Sequence, residues 1–179
     1  MRTTTPLTPP PAPKLDPLAH RQAALLRLST GIAAAHDEAA ICDAVVQGLH
    51  DEALGYNFLG LFLLDPATGE RVLRSSIGWS SAPKNYRVPP GAGISARAIA
   101  DGKLHYTADV TRDASYIASL ASGSEVDVPL VVDGVTMGVL VVESSEPDAF
   151  GEYDFEILNA AADQAAIALA RTRDRKSVV

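Results

Sequence analysis

The sequence has little that would engage metals or move electrons. Cys42 is its only cysteine, so an internal disulfide, a CxxC zinc site and intramolecular dithiol chemistry are all excluded. Its four histidines, His20, His36, His50 and His105, do not fall beside a second ligand at metal spacing. There is no GxSxG, Walker loop, HExxH or paired catalytic acid motif. No apolar run approaches the ~18 residues needed to cross a bilayer. The opening MRTTTPLTPPPAPK has no apolar stretch of signal-peptide type. These absences point to a cytoplasmic protein without a membrane anchor, a metal centre or a catalytic constellation.

What is present suits one packed domain. The chain has 179 residues, of which 47% are hydrophobic, enough apolar surface for a real core. Its net charge of −7 is uneven. Residues 1–17 contribute +1 and residues 171–179 contribute +3, which leaves −11 on the body between them. A body that acidic repels phosphate backbones and disfavours nucleic acid as a partner.

Six of the twelve prolines lie in the first seventeen residues. Residues 1–16 therefore read as an extended, disordered leader. Asp16-Pro17 has the form of a helix start, and Leu18, Leu25, Leu28, Ile32 and Ala35 follow at helical spacing. Asp37-Glu38 opens a second helix through Ile41, Val45 and Leu49. The period then changes to that of strands. Residues 57–64 and 70–77 form a hairpin around Asp65-Pro66-Ala67-Thr68-Gly69, and residues 78–93 form a long irregular loop. A short helix over 94–100, a brief strand over 104–107 and an irregular excursion over 109–122 come next. Runs 125–132 and 135–142 are joined at Asp133-Gly134, a strong hairpin signal. A long helix over 150–173 closes the domain, with acids at its start and arginines at its end as the helix dipole prefers. Hairpins without strand–helix alternation give an α+β fold on an antiparallel sheet. Pro129 inside a strand run requires an edge or a bulge, and Gly138 permits close packing across the sheet.

Four segments in this order and spacing resemble the GAF domain family: GAGISARAIADGK (91–103), ADVTRDASYI (108–117), EVDVPLVVDGVTMGVLVVES (125–144) and FGEYDFEILNAAADQAAIALA (150–170). GYNFLGLFLLDPATGERVLRSSIGW (55–79) looks like the family's first hairpin. The resemblance implies a domain over residues 17–173, with 174–179 a basic tail. It implies a central antiparallel sheet of five or six strands, terminal helices on one face, and a small-molecule pocket under loops and short helices on the other. The candidate ligand-binding residues are then the aromatics of the irregular regions, Trp79, Tyr86, Tyr106 and Tyr116, with Asp109 and Glu125. Arg87, Arg97 and Arg112 are candidates for an anionic ligand, against the plainer reading of solvated charges.

The chemistry known in the family finds little support in these residues. Free methionine sulfoxide reductases of this family use cysteines in the loop before the EVDVP-like strand, where this chain carries Ser119 or a neighbour. Without a thiol there, the dithiol relay is missing. The paired acids those enzymes carry in the next strand are also absent, as Val141, Val142 and Glu143 occupy that stretch. The Asn-Lys pair of cyclic-nucleotide-binding relatives is replaced by Glu143-Ser144-Ser145.

The expectation is therefore a non-catalytic sensory or regulatory module for an unidentified small-molecule ligand, with its cofactor unknown. Two alternatives are a dimerisation module with a vestigial pocket and a reductase-like enzyme. The alanine-rich last helix (Ala161, Ala162, Ala165, Ala168) and the first helix suggest a homodimer. A signalling output partner would then be reached through them.

Overall fold

The computed structural model describes residues 17–79, 82–83, 85–117 and 122–177. The expected leader at 1–16, Ser119 and the last two residues of the basic tail lie outside the described residues. Helices α1 (Pro17–Ala34) and α2 (Glu38–Leu49) are followed by strands β1 (Phe58–Leu64), β2 (Arg71–Ile77) and β3 (Arg87–Val88). After these come α3 (Ala96–Asp101), β4 (His105–Thr107), a single 3-10 turn (Val110–Arg112), β5 (Ser124–Val132), β6 (Val135–Ser144) and α4 (Glu152–Ser177). The six strands form one antiparallel sheet in the order β3-β2-β1-β6-β5-β4.

The sheet is covered on both faces, which is why β1 is apolar almost throughout. Alternate residues of β1 serve opposite faces. Leu59, Leu61 and Leu63 join the helix-side core with Ile41, Val45 and Leu49 of α2 and Leu158 and Leu169 of α4. Burying each such leucine or isoleucine contributes roughly 1.5–3 kcal/mol before entropy is counted. Phe62 points the other way, to a smaller core with Leu73, Val88, Ala98, Val139 and Val141. The terminal helices thus share one face of the sheet, and α3 with its flanking loops covers the other.

Local signals place the elements well. Asp37 caps α2 by accepting from the Ala40 amide at 2.8 Å. Gly102, at φ 66, ends α3 in the left-handed conformation. At Gly138 a β-carbon would stand 2.2 Å from the Phe62 carbonyl oxygen, so β1 and β6 meet as the glycine anticipated. Pro129 also obeys its constraint. The β4 pairing reaches only to Asp127, so β5 is an unpaired edge on that side from there on, and a bulge follows between Leu130 and Val131.

Two differences are instructive. The loop expected over 78–93 contains β3, whose two residues are too few to show any period. Both apolar stripes of α4 are used inside the protomer. Ile157, Leu158, Ala161, Ala162, Ala165 and Leu169 are all buried against the sheet and α2, so the alanines do not mark a free face. Among the described residues of the terminal helices, the large apolar side chains left exposed are instead Leu18 and Leu26 on α1 and Tyr153 and Ile167 on α4, Leu26 being 68% exposed.

Candidate ligand-binding site

A cavity of about 210 Å³ lies on the α3 side of the sheet. Its floor is Phe62 of β1, Val141 and Glu143 of β6, and Glu125 of β5. Trp79 and Tyr86, after β2, and Val88 of β3 make one wall. Ile94 and Ser95 at the start of α3 and Tyr116 and Ile117 beyond the 3-10 turn make the other. Apolar and aromatic lining with a few polar groups suits a small organic molecule.

Trp79 is fixed from three sides. Its ring packs on Phe62 at 5.7 Å between centroids, with a tilt of 49°. Its six-membered ring fills the space over Gly60, where any β-carbon would collide with it. Its Nε1–H donates to Glu143 Oε2 at 3.1 Å. The opposite side of the cavity is set by Arg71, a buried arginine on β2. Its guanidinium donates to Ser95 Oγ and to the carbonyls of Pro89 and Ala92. One side chain thereby ties the segment leading into α3 to the sheet.

Three carboxyl groups converge at the floor. Glu125 and Glu143 are direct cross-strand partners, and Asp127 is the next residue of β5 on the same face. All three are buried. Burial pushes the Glu125 carboxyl far above its ordinary range, and the charges of Asp127 and Glu143 add to it. Burial also raises Asp127, against the pull of Glu125 and of Arg71. Glu143 is raised by burial and eased down by Ser122 and Trp79. Glu125 lies close enough to press on the titration of Asp127, yet neither Asp127 oxygen meets a hydrogen-bond donor. Among the described residues no three such groups have the geometry to hold a metal ion. The floor is a dense acidic patch in an aromatic setting.

Four of the six residues expected from the sequence, Trp79, Tyr86, Tyr116 and Glu125, line this cavity. Tyr106 and Asp109 do not. Tyr106 is the cross-strand partner of Val126, which faces the helices. Its ring therefore packs on Phe150 and Phe155, and its hydroxyl donates to Asp148 at 2.9 Å. Asp109 caps the 3-10 turn through the amide and hydroxyl of Thr111 and pairs with Arg112 at 3.0 Å. Arg87 is engaged by Asp65 and Glu70, and Arg97 by Asp113, so the arginines considered for an anionic ligand are bound to acids of the chain. His105 is held by Asp101 at 2.8 Å. Asp127, Glu143, Phe62 and Arg71 were missed. The alternation Glu125-Val126-Asp127 did carry a signal: it sets two acids on one face of a strand otherwise apolar.

Cys42 lies on α2 in the helix-side core, across the sheet from the cavity. Burial, with Glu38 next, pushes its thiol up to about 12.

Comparison with known proteins places these features among relatives. The sequence profile of the family described as GAF domain matches residues 35–170. Protein YtsP of Bacillus subtilis (strain 168) is 34% identical over 116 residues, which is 64% of this chain and 69% of that protein. The structure of a free methionine-R-sulfoxide reductase from Neisseria meningitidis, solved in complex with its substrate, superposes with a TM-score of 0.78 at 28% identity. That match covers 92% of this chain and 96% of the other. The GAF domain of a phosphoenolpyruvate-protein phosphotransferase from Coxiella burnetii gives a TM-score of 0.80 at 22% identity, covering 88% and 97%, a likeness of fold alone.

Proposed function

The chain belongs to the GAF domain family, and from that premise we propose that it is a non-catalytic regulatory module whose pocket binds a small organic cation. The observation that carries this reading is the pair Glu125 and Glu143 at the base of an aromatic cavity, with Asp127 buried directly beside them. Burying carboxylates is costly unless something neutralises them. An ammonium or guanidinium group supplies the missing charge, and Trp79, Tyr86 and Tyr116 supply π faces for it.

The non-catalytic part rests on chemistry. The reductase similarity does not bring a thiol with it, since the lone cysteine is buried across the sheet from the cavity. Methionine sulfoxide nevertheless carries an ammonium group. It is therefore a natural first probe, expected here to bind without being reduced. In this reading the module is cytoplasmic and works as a homodimer, with Leu18, Leu26 and Ile167 supplying the apolar surface between copies and a path to an output partner.

The test compares matched probes by thermal shift and native mass spectrometry. Phenethylammonium and methionine sulfoxide are expected to raise the melting temperature, whereas 2-phenylethanol and phenylacetate are not. Preference for the neutral or anionic probe sinks the cation reading. Conversion of methionine sulfoxide to methionine sinks the non-catalytic one.

A further inference from the structure

Asp127 does not line the cavity, yet it stands directly beside its floor. Its cross-strand neighbours are Val141 on β6 and His105 on β4. The charged or titratable groups around it come from five elements: Glu125 on its own strand, Glu143 on β6, Arg71 on β2, Arg97 on α3 and His105 on β4. Arg71 and Arg97 offset its charge only in part. Arg71 is engaged by Ser95 and two carbonyls, Arg97 by Asp113 at 2.7 Å, and His105 by Asp101. Glu143 is itself an acid, held by Trp79. Three adjacent buried carboxyls facing one buried cation, Arg71, do not all ionise, because the charges in excess of that cation repel one another.

We propose that the Glu125–Asp127 pair is a proton store: in the empty pocket it holds a proton that an incoming cation expels to solvent, and Asp127, which does not touch the ligand, is the positioning residue that makes binding proton-coupled. The exchange balances in charge, one positive ligand entering as one proton leaves. The raised titrations of both groups agree with it. The ligand arm rests on the cation reading above, whereas the proton store is observable without any ligand. The consequence is a module whose response to its ligand depends on pH near neutrality.

Calorimetry of the full chain with phenethylammonium, run near pH 7 in phosphate and in Tris, reads the released proton from the difference in observed enthalpy. About one proton per cation is expected for the wild-type chain, with affinity rising up to about tenfold per pH unit while the pair still holds its proton. Asp127→Asn is expected to bind with no proton released and a flattened pH profile. A merely structural role for Asp127 would instead lower affinity equally at every pH, which overturns the proposal. Equal enthalpies in the two buffers for wild type overturn it too, and leave the cation reading intact. Should Asp127→Asn fail to fold, carbon-13 NMR of the side-chain carboxyls of the ligand-free wild-type chain decides. Titration of this pair near neutrality supports the store, and titration of every carboxyl below about pH 5 overturns it. A chain that binds none of the probes overturns the cation reading and the ligand-driven release, and the carboxyl titration of the ligand-free chain then decides the store.

Discussion

Gly60 and Trp79 share one space: a β-carbon on Gly60 would stand 2.3 Å from Cζ3 and 2.7 Å from Cη2 of the indole. The absence of a side chain on β1 therefore sets how deeply the indole lies, and its depth brings Nε1 to Glu143. Gly60→Ala is expected to lift the ring and break that hydrogen bond. Trp79 is the only tryptophan, so its emission reports the change alone. A red shift is expected, together with a stability loss of about 1–3 kcal/mol from overpacking. Unchanged emission would show that the indole does not rest there.

Glu143→Gln keeps the shape and an acceptor for Trp79 but removes a charge. A hydrogen bond to a charged group contributes about 1.5–3 kcal/mol, so phenethylammonium affinity should fall roughly 10- to 100-fold. Isothermal titration measures it. Equal affinity would place the cation elsewhere.

The acid trio also predicts how stability follows pH. Glu125, Asp127 and Glu143 all have titrations raised by burial relative to the unfolded chain. Between the ordinary carboxylate range and the raised one the native state holds more protons than the unfolded state. Stability therefore falls as pH rises through that window. The ligand-free protein should melt on the order of 5 °C lower at about pH 8 than at about pH 5.5. Asp127→Asn should remove much of that slope. The lowered acids Asp51, Asp65, Asp101, Asp109 and Asp113 act below this window and do not mask it. A melting temperature that rises across the window contradicts the trio.

Cys42 should be inert. Buried, with its thiol pushed up to about 12, it should resist a disulfide reagent near pH 8 in the native state and react at once in denaturant. Thiol-dependent reduction of methionine sulfoxide should stay at background. Prompt native labelling would reopen a redox role.

Leu26 and Ala165 separate association from folding. Leu26→Glu lies on the surface and should turn a concentration-dependent dimer into a monomer with a stability change within about 0.5 kcal/mol. Ala165→Glu places a charge in the core and should unfold the protomer instead. Sedimentation velocity with circular dichroism distinguishes the two outcomes. A wild-type chain that stays monomeric at high concentration removes the dimer.

The site was half legible before folding. Trp79, Tyr86 and Tyr116 stood out as aromatics in irregular segments, and Glu125 was a candidate beside them. Tyr106 looked the same, but its side of the sheet follows from pairing with Val126 and not from its neighbours in the chain. The Glu143 partnership with Glu125 spans a hairpin whose register is shifted by a bulge between Leu130 and Val131. Trp79 reaches Glu143 across 64 residues of chain. Periodicity reports which way a side chain alternates and carries no record of which strand will lie beside it.

A single cysteine, an apolar content sufficient for one core, the helix caps and the Asp133-Gly134 turn follow from composition and local stereochemistry, and so does the α+β arrangement. Those depend on residues a few positions apart. The acidic floor, its buried Asp127, the Gly60–Trp79 contact and the consumption of the α4 alanines inside the protomer depend on strands and helices far apart in the chain. Only the packed sheet brings them together, and only burial there raises the titrations of three ordinary carboxyls.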